Sequence, residues 1–541
     1  MALGSAWRGV IFNDVFHALR EFDRRLMTCG FARMKRAYAR YAVAATMAAF
    51  VCGCAVGPDF APPAPPDVAG YIAGRTPTRT VASDVAGGTS QRFVTGRDIP
   101  GDWWRLFGSR PLRTLTERAL KNNPDLAAAQ AALRVAQANL AAGKGAYFPS
   151  IDGNFSASRE KPAISGPAVP DENGNLVLPE SATFNLFTGQ VLVSYTPDVF
   201  GGIRRNVESL QAQSDNQRFL LEATYLTLTS NIVVAAVQEA SLRGQIDATQ
   251  SLIKIATNVL QLLRTQFNAG QIAESDVATQ QAALAQVEQT LPPLQRQLAQ
   301  QRHLLSALTG GLPSEEPPEK FELAALHLPR DIPISVPSHL VQQRPDLRAA
   351  EENLHAVSAQ IGVAVANRLP NVTLTANVGS TAPMIDQLFS PGTGAWAITG
   401  SLLQPIFHGG TLYQREVAAR AAFEQATAQY RSTLVTAFQN VADSLSAIQN
   451  DAVALQKSVA AETAANRVLV ITRRRLELGE VNFLQVLVAQ QFYLQALLAR
   501  VQAQANRFAD TVALFQALGG GWWNRNDLDP PKQYPFFNLT D

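Results

Sequence analysis

Residues 434–459 read LVTAFQNVADSLSAIQNDAVALQKSV, and their apolar positions fall at alternating steps of four and three: Leu434, Phe438, Val441, Leu445, Ile448, Ala452, Leu455 and Val459. An apolar repeat averaging 3.5 residues is the seam of a helix packed in coiled-coil fashion. The stretch lies inside residues 411–478, which hold neither Gly nor Pro. At 1.5 Å per residue that helix is roughly 100 Å long. Residues 203–268 form a second such stretch, with no Pro and the single glycine Gly244. Its series runs Leu221, Tyr225, Leu228, Ile232, Ala235, then Leu242, Ile246, Ile253, Ala256, Leu260, Leu263 and Phe267.

Around these helices the chain is written twice. Pro124-Asp125-Leu126 recurs as Pro345-Asp346-Leu347, Leu133 as Leu354 and Pro149 as Pro370, all at one spacing. Gly201-Gly202 returns as Gly409-Gly410, Gly270 as Gly479 and Ala307-Leu308 as Ala517-Leu518. Internal duplication of this kind governs the fold. Each unit reads as helix, strand, strand, long helix, helix. Residues 115–146 plus 275–309 match 203–268 in length, and 339–367 plus 482–518 match 411–478. Two short helices stacked end to end beside one long antiparallel helix would give a wall of even height.

The strands alternate with period two, as half-buried strands do. The first runs through Ile151, Gly153, Phe155 and Ala157, and its counterpart through Val372, Leu374, Ala376 and Val378. Partners are expected near Thr183–Thr196 and Trp396–Gln404, giving two hairpins per chain. Four strands cannot close a barrel, and open edges cannot face lipid because their backbone groups lack partners. Three copies would supply twelve strands, within the range of closed membrane barrels. Phe148, Phe155, Phe184, Phe187, Tyr195, Phe389, Trp396 and Phe407 cluster near these strands, as interfacial girdles or as the core of a soluble sheet.

Hydrophobic residues make up 47% of the 541 residues and charged residues 17%, against about 25% charged in ordinary domains. The net charge of +2 gives no reason to expect nucleic acid as a partner. Cys29, Cys52 and Cys54 are the only cysteines, so nothing beyond Cys54 can form a disulfide framework, a thiolate metal site or a cysteine nucleophile. Met34, Lys35, Arg36 and Arg40, the apolar run Tyr41–Val51 and the small-residue site ending at Cys54 have the order of a secretory signal, with translation expected to start at Met34. They resemble a bacterial lipoprotein signal, which implies lipidation of Cys54 on its sulfur. After Cys54 no run of about 18 apolar residues recurs, so membrane insertion must come from lipid or strands. Residues 58–99, with Pro62-Pro63 and Pro65-Pro66, read as an extended arm. The six histidines have no metal-ligand spacing, and no phosphate loop or nucleophile elbow is present, so neither catalysis nor a cofactor is expected.

Trp103-Trp104-Arg105-Leu106-Phe107-Gly108, Asn123-Pro124-Asp125-Leu126, Tyr147-Phe148-Pro149, Phe200-Gly201-Gly202, Phe407-His408-Gly409-Gly410 and Ala517-Leu518-Gly519-Gly520-Gly521-Trp522 together resemble the outer-membrane efflux proteins of the TolC family, specifically the NodT-type lipoproteins close to OprM. The resemblance covers roughly residues 54–525. It implies a mixed α and β fold: a trimeric duct with a long α-helical periplasmic barrel and a 12-stranded outer-membrane β-barrel. The implied partners are two more copies of the chain, outer-membrane lipid, a periplasmic adaptor and an inner-membrane pump of the resistance-nodulation-division type. Residues 1–53 are then the signal region, 54–100 the lipidated arm, 101–311 the first repeat, 312–338 an equatorial connector, 339–521 the second repeat and 522–541 a C-terminal equatorial segment. The expected function is passive exit of drugs or other small solutes. A type I protein-secretion duct, or a non-conducting lipid-anchored coiled-coil scaffold, are the alternatives.

Within that frame, Gly201, Gly202, Gly409 and Gly410 stand at strand-to-helix corners, needing positive φ or close approach, or serving as plain flexible turns. Asn268, Gly270, Asp276, Gly479 and Asn482 mark hairpin tips at the far end from the strands, where the resemblance places adaptor contact. Ser275 or Asp276 is expected to cap the returning helix. Beyond Val459 the stripe of the second long helix turns polar at Glu462, Asn466 and Arg473. These are the candidates for a periplasmic gate, and solvated residues on a loosening helix are the alternative. Asp443 and Asp451 lie higher on the same helix, facing either a lumen or the outside.

Overall fold

The structure is a computed structural model that describes residues 55–525, apart from residues 69, 73, 75–77, 162–168, 171–175 and 178–181. Cys54 and the signal region lie outside the described residues. The chain divides into two compact units. One is made of strands, from Ile151–Gly202 and Leu369–Gln404 together with Ala55 and Val56. The other is helical, from Gly57–Ser150, Ile203–Arg368 and the chain from Pro405 onward.

In the helical unit, α1 (Arg110–Asn122), α2 (Pro124–Lys144), α3 (Gly202–Asn268) and α4 (Glu274–Leu308) form the first repeat. The second is formed by α5 (Pro337–Gln343), α6 (Pro345–Ala366), α7 (Thr411–Glu477) and α8 (Phe483–Ala517). The long helices α3 and α7 are each 67 residues. The single helices expected over 115–146 and 339–367 are instead each broken in two, at Asn123 and at Arg344. Pro124 and Pro345 are the cause, because proline drives the residue before it into extended backbone. Asn123 sits at φ −67°, ψ 126° and Arg344 at φ −85°, ψ 121°. Asn123 caps α2 by accepting from the Leu126 N–H at 3.0 Å, while its Nδ2 donates to the Leu308 carbonyl at 3.0 Å. Arg344 does the corresponding work in the second repeat, donating to the Ala517 carbonyl at 2.9 Å. Duplication has thus kept the tie to the end of the returning helix while changing the residue that makes it.

The seam of α7 is buried at Val441, Leu445, Ile448, Ala452 and Leu455. On α3 burial spreads beyond the 3.5-residue stripe to Leu226, Val233, Ala236, Val237, Ala240 and Leu252. One long core explains this, since Ile232–Ala240 packs with Trp103, Phe107, Leu112, Leu115, Ile332, Val441, Phe508 and Phe515. An 18-residue window of α3 is apolar enough to cross a membrane, yet 56% of it is buried inside the protein. A second core near the tips joins both repeats: Val259 and Leu263 of α3 with Leu469 and Leu476 of α7 and Phe483, Val486 and Ala489 of α8.

The arm ends in a strand absent from the sequence-based expectation. β1 (Arg92–Thr95) runs parallel to β6 (Asp331–Ile334), pairing Arg92 with Asp331 and Phe93 with Ile332. Beside it the fully buried Gln91 holds the arm down. Its side chain donates to the Thr511 hydroxyl at 3.2 Å and accepts from Arg507 at 2.8 Å.

The strand unit holds β2 (Ser150–Glu160), β5 (Phe184–Tyr195), β7 (Asn371–Ala382) and β8 (Gly394–Leu403), hydrogen-bonded in the order β2-β5-β7-β8. The two expected hairpins are therefore present and lie side by side, joined by antiparallel β5 and β7. Between β2 and β5 a two-residue pair, β3 (Val169–Pro170) with β4 (Leu176–Val177), closes antiparallel.

Candidate functional site

The register of the sheet separates its residues into two chemical faces. Opposite Val372, Leu374, Ala376 and Val378 of β7 stand Leu402, Gly400, Ile398 and Trp396 of β8. On the other side, Leu374, Ala376 and Val378 face Tyr195, Val193 and Val191 of β5. Side chains alternate along a strand, so all of these share one face. That face is apolar and open: Trp396 is 74% exposed, Ile398 76% and Leu402 69%. The reverse face carries Thr373, Thr375, Asn377 and Thr381 with Ser194, Gln190, Thr188, Thr399 and Ser401, interrupted by Leu192 and Ala397 on either side of Asn377 and by Leu403 opposite Asn371. Its side chains bond to each other, Asn377 Nδ2 donating to Gln190 Oε1 at 3.2 Å and the Thr188 and Thr381 hydroxyls lying 3.4 Å apart. An apolar face of this size has no place in water. Set against lipid, with the hydroxyl and amide face toward water, the same sheet satisfies both solvents. Its outer strands β2 and β8 then leave two edges that need partners.

At the corners the structure separates the four glycines. Gly201 has φ +76°, and a β-carbon there would lie 2.5 Å from the Ala55 Cα, so only glycine fits. Gly409 and Gly410 have φ +57° and +82°, Gly410 at the N-cap of α7. Gly202 differs from the other three: it is the first residue of α3 and does not have positive φ. Val56 donates to the Phe200 carbonyl at 3.0 Å, fixing the chain just after Cys54 at this corner.

The two long helices end in glycine-closed turns at the expected residues. α3 ends at Asn268, and α7 one residue before Leu478. Gly270 and Gly479 follow at φ +71° and +74°. The Gln271 and Glu480 amides donate back to the Gln266 and Arg475 carbonyls at 2.9 Å each, the six-to-one bond of a glycine-closed helix end. Asn482 caps α8, accepting from the Gln485 N–H at 3.3 Å. The cap expected from Ser275 or Asp276 is not made: the N-cap position is Ala273, and no side chain bonds there. Ser275 and Asp276 lie inside the first turn of α4, where the Asp276 charge favours the positive end of the helix dipole.

The three gate candidates occupy one helix without forming a cluster. Glu462 is turned toward the returning helix, in an ion pair with Arg500 of α8 at 3.4 Å. Burial, then the Glu462 charge, pushes the nearby Tyr493 phenol upward. Asn466 is exposed, and Arg473 half-buried. The sequence reading did not find Arg500, because its partner lies on another helix. It also passed over Leu484, Val488 and Phe492, spaced by four along α8 and 53%, 43% and 61% exposed, a signal present in the sequence beside the buried series. Among the described residues no group of His, Cys, Asp and Glu is arranged to hold a metal.

The model of a family described as outer membrane efflux protein matches residues 115–311 and 336–520, one match per repeat. The pyoverdine export outer membrane protein OpmQ of Pseudomonas putida is 30% identical over 451 residues, covering 83% of this chain and 94% of its own length. The toluene efflux pump outer membrane protein TtgC of Pseudomonas putida is 28% identical over 475 residues, covering 87% and 94%. The CmeC outer membrane channel of Campylobacter jejuni superposes with a TM-score of 0.75 at 25% identity, over 86% of this chain and 95% of that one. With its duplicated long-helix hairpins and its two-faced sheet, the chain belongs to the outer membrane efflux proteins of the TolC family.

Proposed function

We propose that three copies of this chain form a passive exit duct through the outer membrane. The observation that carries the reading is the four-stranded sheet with one apolar face, one hydroxyl and amide face, and two unpartnered edges. Three such sheets joined edge to edge satisfy every strand, turn the apolar face to lipid and leave a polar lumen. The long hairpins continue the duct as a helical tunnel, and their tips, from Asn268 to Asp276 and from Gly479 to Asn482, receive a periplasmic adaptor. An inner-membrane pump, of the resistance-nodulation-division type, supplies the energy. The cargo is a small solute, a reading favoured by relatives named for pyoverdine and toluene. Cys54 carries the lipid that holds the arm at the membrane. Glu462, Asn466 and Arg473 form the polar part of the closed tip, and the Glu462–Arg500 pair is exchanged for other contacts on opening.

Planar-bilayer recording of the purified protein, with native mass measured in the same detergent, tests this. A trimer mass with discrete current steps is expected, and Glu462→Ala enlarges the steps. Trimers with unchanged steps would remove Glu462 from the gate and keep the duct. A folded monomer that never conducts would support the lipid-anchored scaffold instead.

A further inference from the structure

The chain passes between helices and strands at four places: residues 144–150 lead into β2, 196–205 out of β5, 367–370 into β7 and 404–416 out of β8. Asn371 pairs with Leu403 and Tyr195 with Leu374, so three of these passages meet one end of the sheet. Read away from the strands, all four have the same order. Ile151 is followed by Phe148, Tyr147 and Lys144; Val193 by Tyr195, Phe200 and Arg204; Val372 by Leu369 and Arg368; and Leu403 by Ile406, Phe407, Tyr413 and Arg415. Apolar side chains come first and a cation last, with aromatic rings between them in three of the four. Together with Arg205 the passages hold five cations, against the two acids Asp198 and Glu416.

Most of these groups are open to solvent. Ile406 is 93% exposed and Phe407 86%, and Phe148 and Tyr413 are exposed as well. Arg204 and Arg415 are exposed, whereas Arg205 is turned inward to Asp59 and Glu208. Arg368 is held in place. Its guanidinium pairs with Glu416, which Arg420 also holds at 2.8 Å, and lies over the Tyr413 ring at 5.8 Å, while its side chain stays 44% exposed. A planar guanidinium fixed on an aromatic ring and open to solvent suits the oxygens of a phosphate. The order of the passages is the order of a bilayer edge, where acyl chains give way to the interfacial zone that aromatic rings prefer and then to charged headgroups.

We propose that this end of the helical unit binds phospholipid headgroups of the leaflet facing the periplasm: Arg204, Arg368 and Arg415 take the lipid phosphate, and Phe148, Ile406 and Phe407 enter the first methylenes of the acyl chains. A soluble phosphate would satisfy the same cations and leave Ile406 and Phe407 in water, so the ligand is a phosphate carried on acyl chains. The assignment rests on the lipid-facing reading of the sheet. It gives the chain a hold on the membrane that is separate from any lipid on Cys54.

Native mass spectrometry of the full-length protein in detergent tests it, with titration by dioleoyl phosphatidylglycerol and, separately, by dioleoylglycerol, which has the same tails and no phosphate. The native chain retains the phospholipid and not the diacylglycerol. A cation at an anionic lipid surface strengthens binding about fivefold, so Arg204→Gln with Arg415→Gln weakens retention about thirtyfold and Arg368→Gln about fivefold. Arg204→Lys with Arg415→Lys keeps the charge and retains the lipid, which separates loss of binding from loss of fold. Arg474→Gln with Arg475→Gln removes the same charge at the far end of α7 and leaves retention unchanged. Equal loss in the two Gln double variants, native retention in Arg204→Gln with Arg415→Gln, or equal uptake of the two lipids overturns the headgroup surface. The same spectra give the mass of the assembly. A monomer whose phospholipid uptake still depends on Arg204 and Arg415 supports the surface while contradicting the three-copy duct.

Discussion

Gly270 and Gly479 close the two long helices with the same left-handed residue and the same six-to-one bond. A side chain there is strained by roughly 1–2 kcal/mol. Gly479→Ala is therefore expected to raise hydrogen exchange at the Glu480 amide about tenfold while the core of α8 is unchanged. Glu239, fully buried on α3, is a position of a different kind. It accepts from Arg243 at 2.6 Å, from Arg302 at 3.2 Å and from the Phe321 backbone N–H at 2.9 Å, tying the connector to both helices of the first hairpin. Removing one partner of a buried ion pair costs about 3–5 kcal/mol, so Glu239→Ala should lower the thermal midpoint far more than Glu462→Ala, whose pair is partly solvated. The turn glycines were legible because positive φ leaves a compositional trace. Glu239 was not, because its partners lie at distances along the chain that no local pattern records. The misplaced cap shows the same limit: Ser275 and Asp276 are good capping residues, and the turn after Gly270 delivers Ala273 to the cap position instead.

The elements themselves were largely written in the sequence. Absence of Gly and Pro gave the long helices within a residue or two, and period-two alternation gave β2 and β7, with β5 and β8 expected as their hairpin partners. The parallel pair β1 and β6 left no such trace, since each is four residues long and finds its partner across more than two hundred residues. The unequal caps of the returning helices make a prediction: Ala273→Ser gives α4 the cap that Asn482 gives α8, worth about 1 kcal/mol, and slows exchange at the start of α4 about fivefold. A pH dependence belongs to the seam between α7 and α8, where Asp510 contacts Asp451. Burial, then the Asp451 charge, pushes Asp510 up to about 7. Arg507, one turn away, is buried and committed to Gln91 and the Thr89 carbonyl. The folded state therefore favours the protonated acid. Its contribution is complete at low pH and is lost as pH rises through about 7. Asp510→Asn should melt higher than the native protein at pH 8.5, by an amount on the order of 2 kcal/mol, with the difference shrinking toward pH 5.

For the whole molecule, the two faces of the sheet set opposite tolerances. An arginine on the lipid face of a membrane barrel costs about 2–4 kcal/mol at mid-depth. Leu374→Arg is thus expected to reduce the protein recovered in outer membranes, and its neighbour Thr375→Arg to leave that yield unchanged; equal yields would remove the lipid-facing assignment. The need for more than one copy was legible in a strand count, because four strands leave two edges whatever their register. Those edges close on other copies in the proposed duct. The chain has no cysteine after Cys54, so thiols placed on β2 at Asn154 or Ser156 and on β8 at Ala397 or Thr399 give a clean readout by oxidative cross-linking in outer membranes. For at least one pairing, covalent species that build to three chains and stop there are expected. Cross-links that end at two chains, run beyond three, or form in no pairing would contradict a barrel closed by three copies.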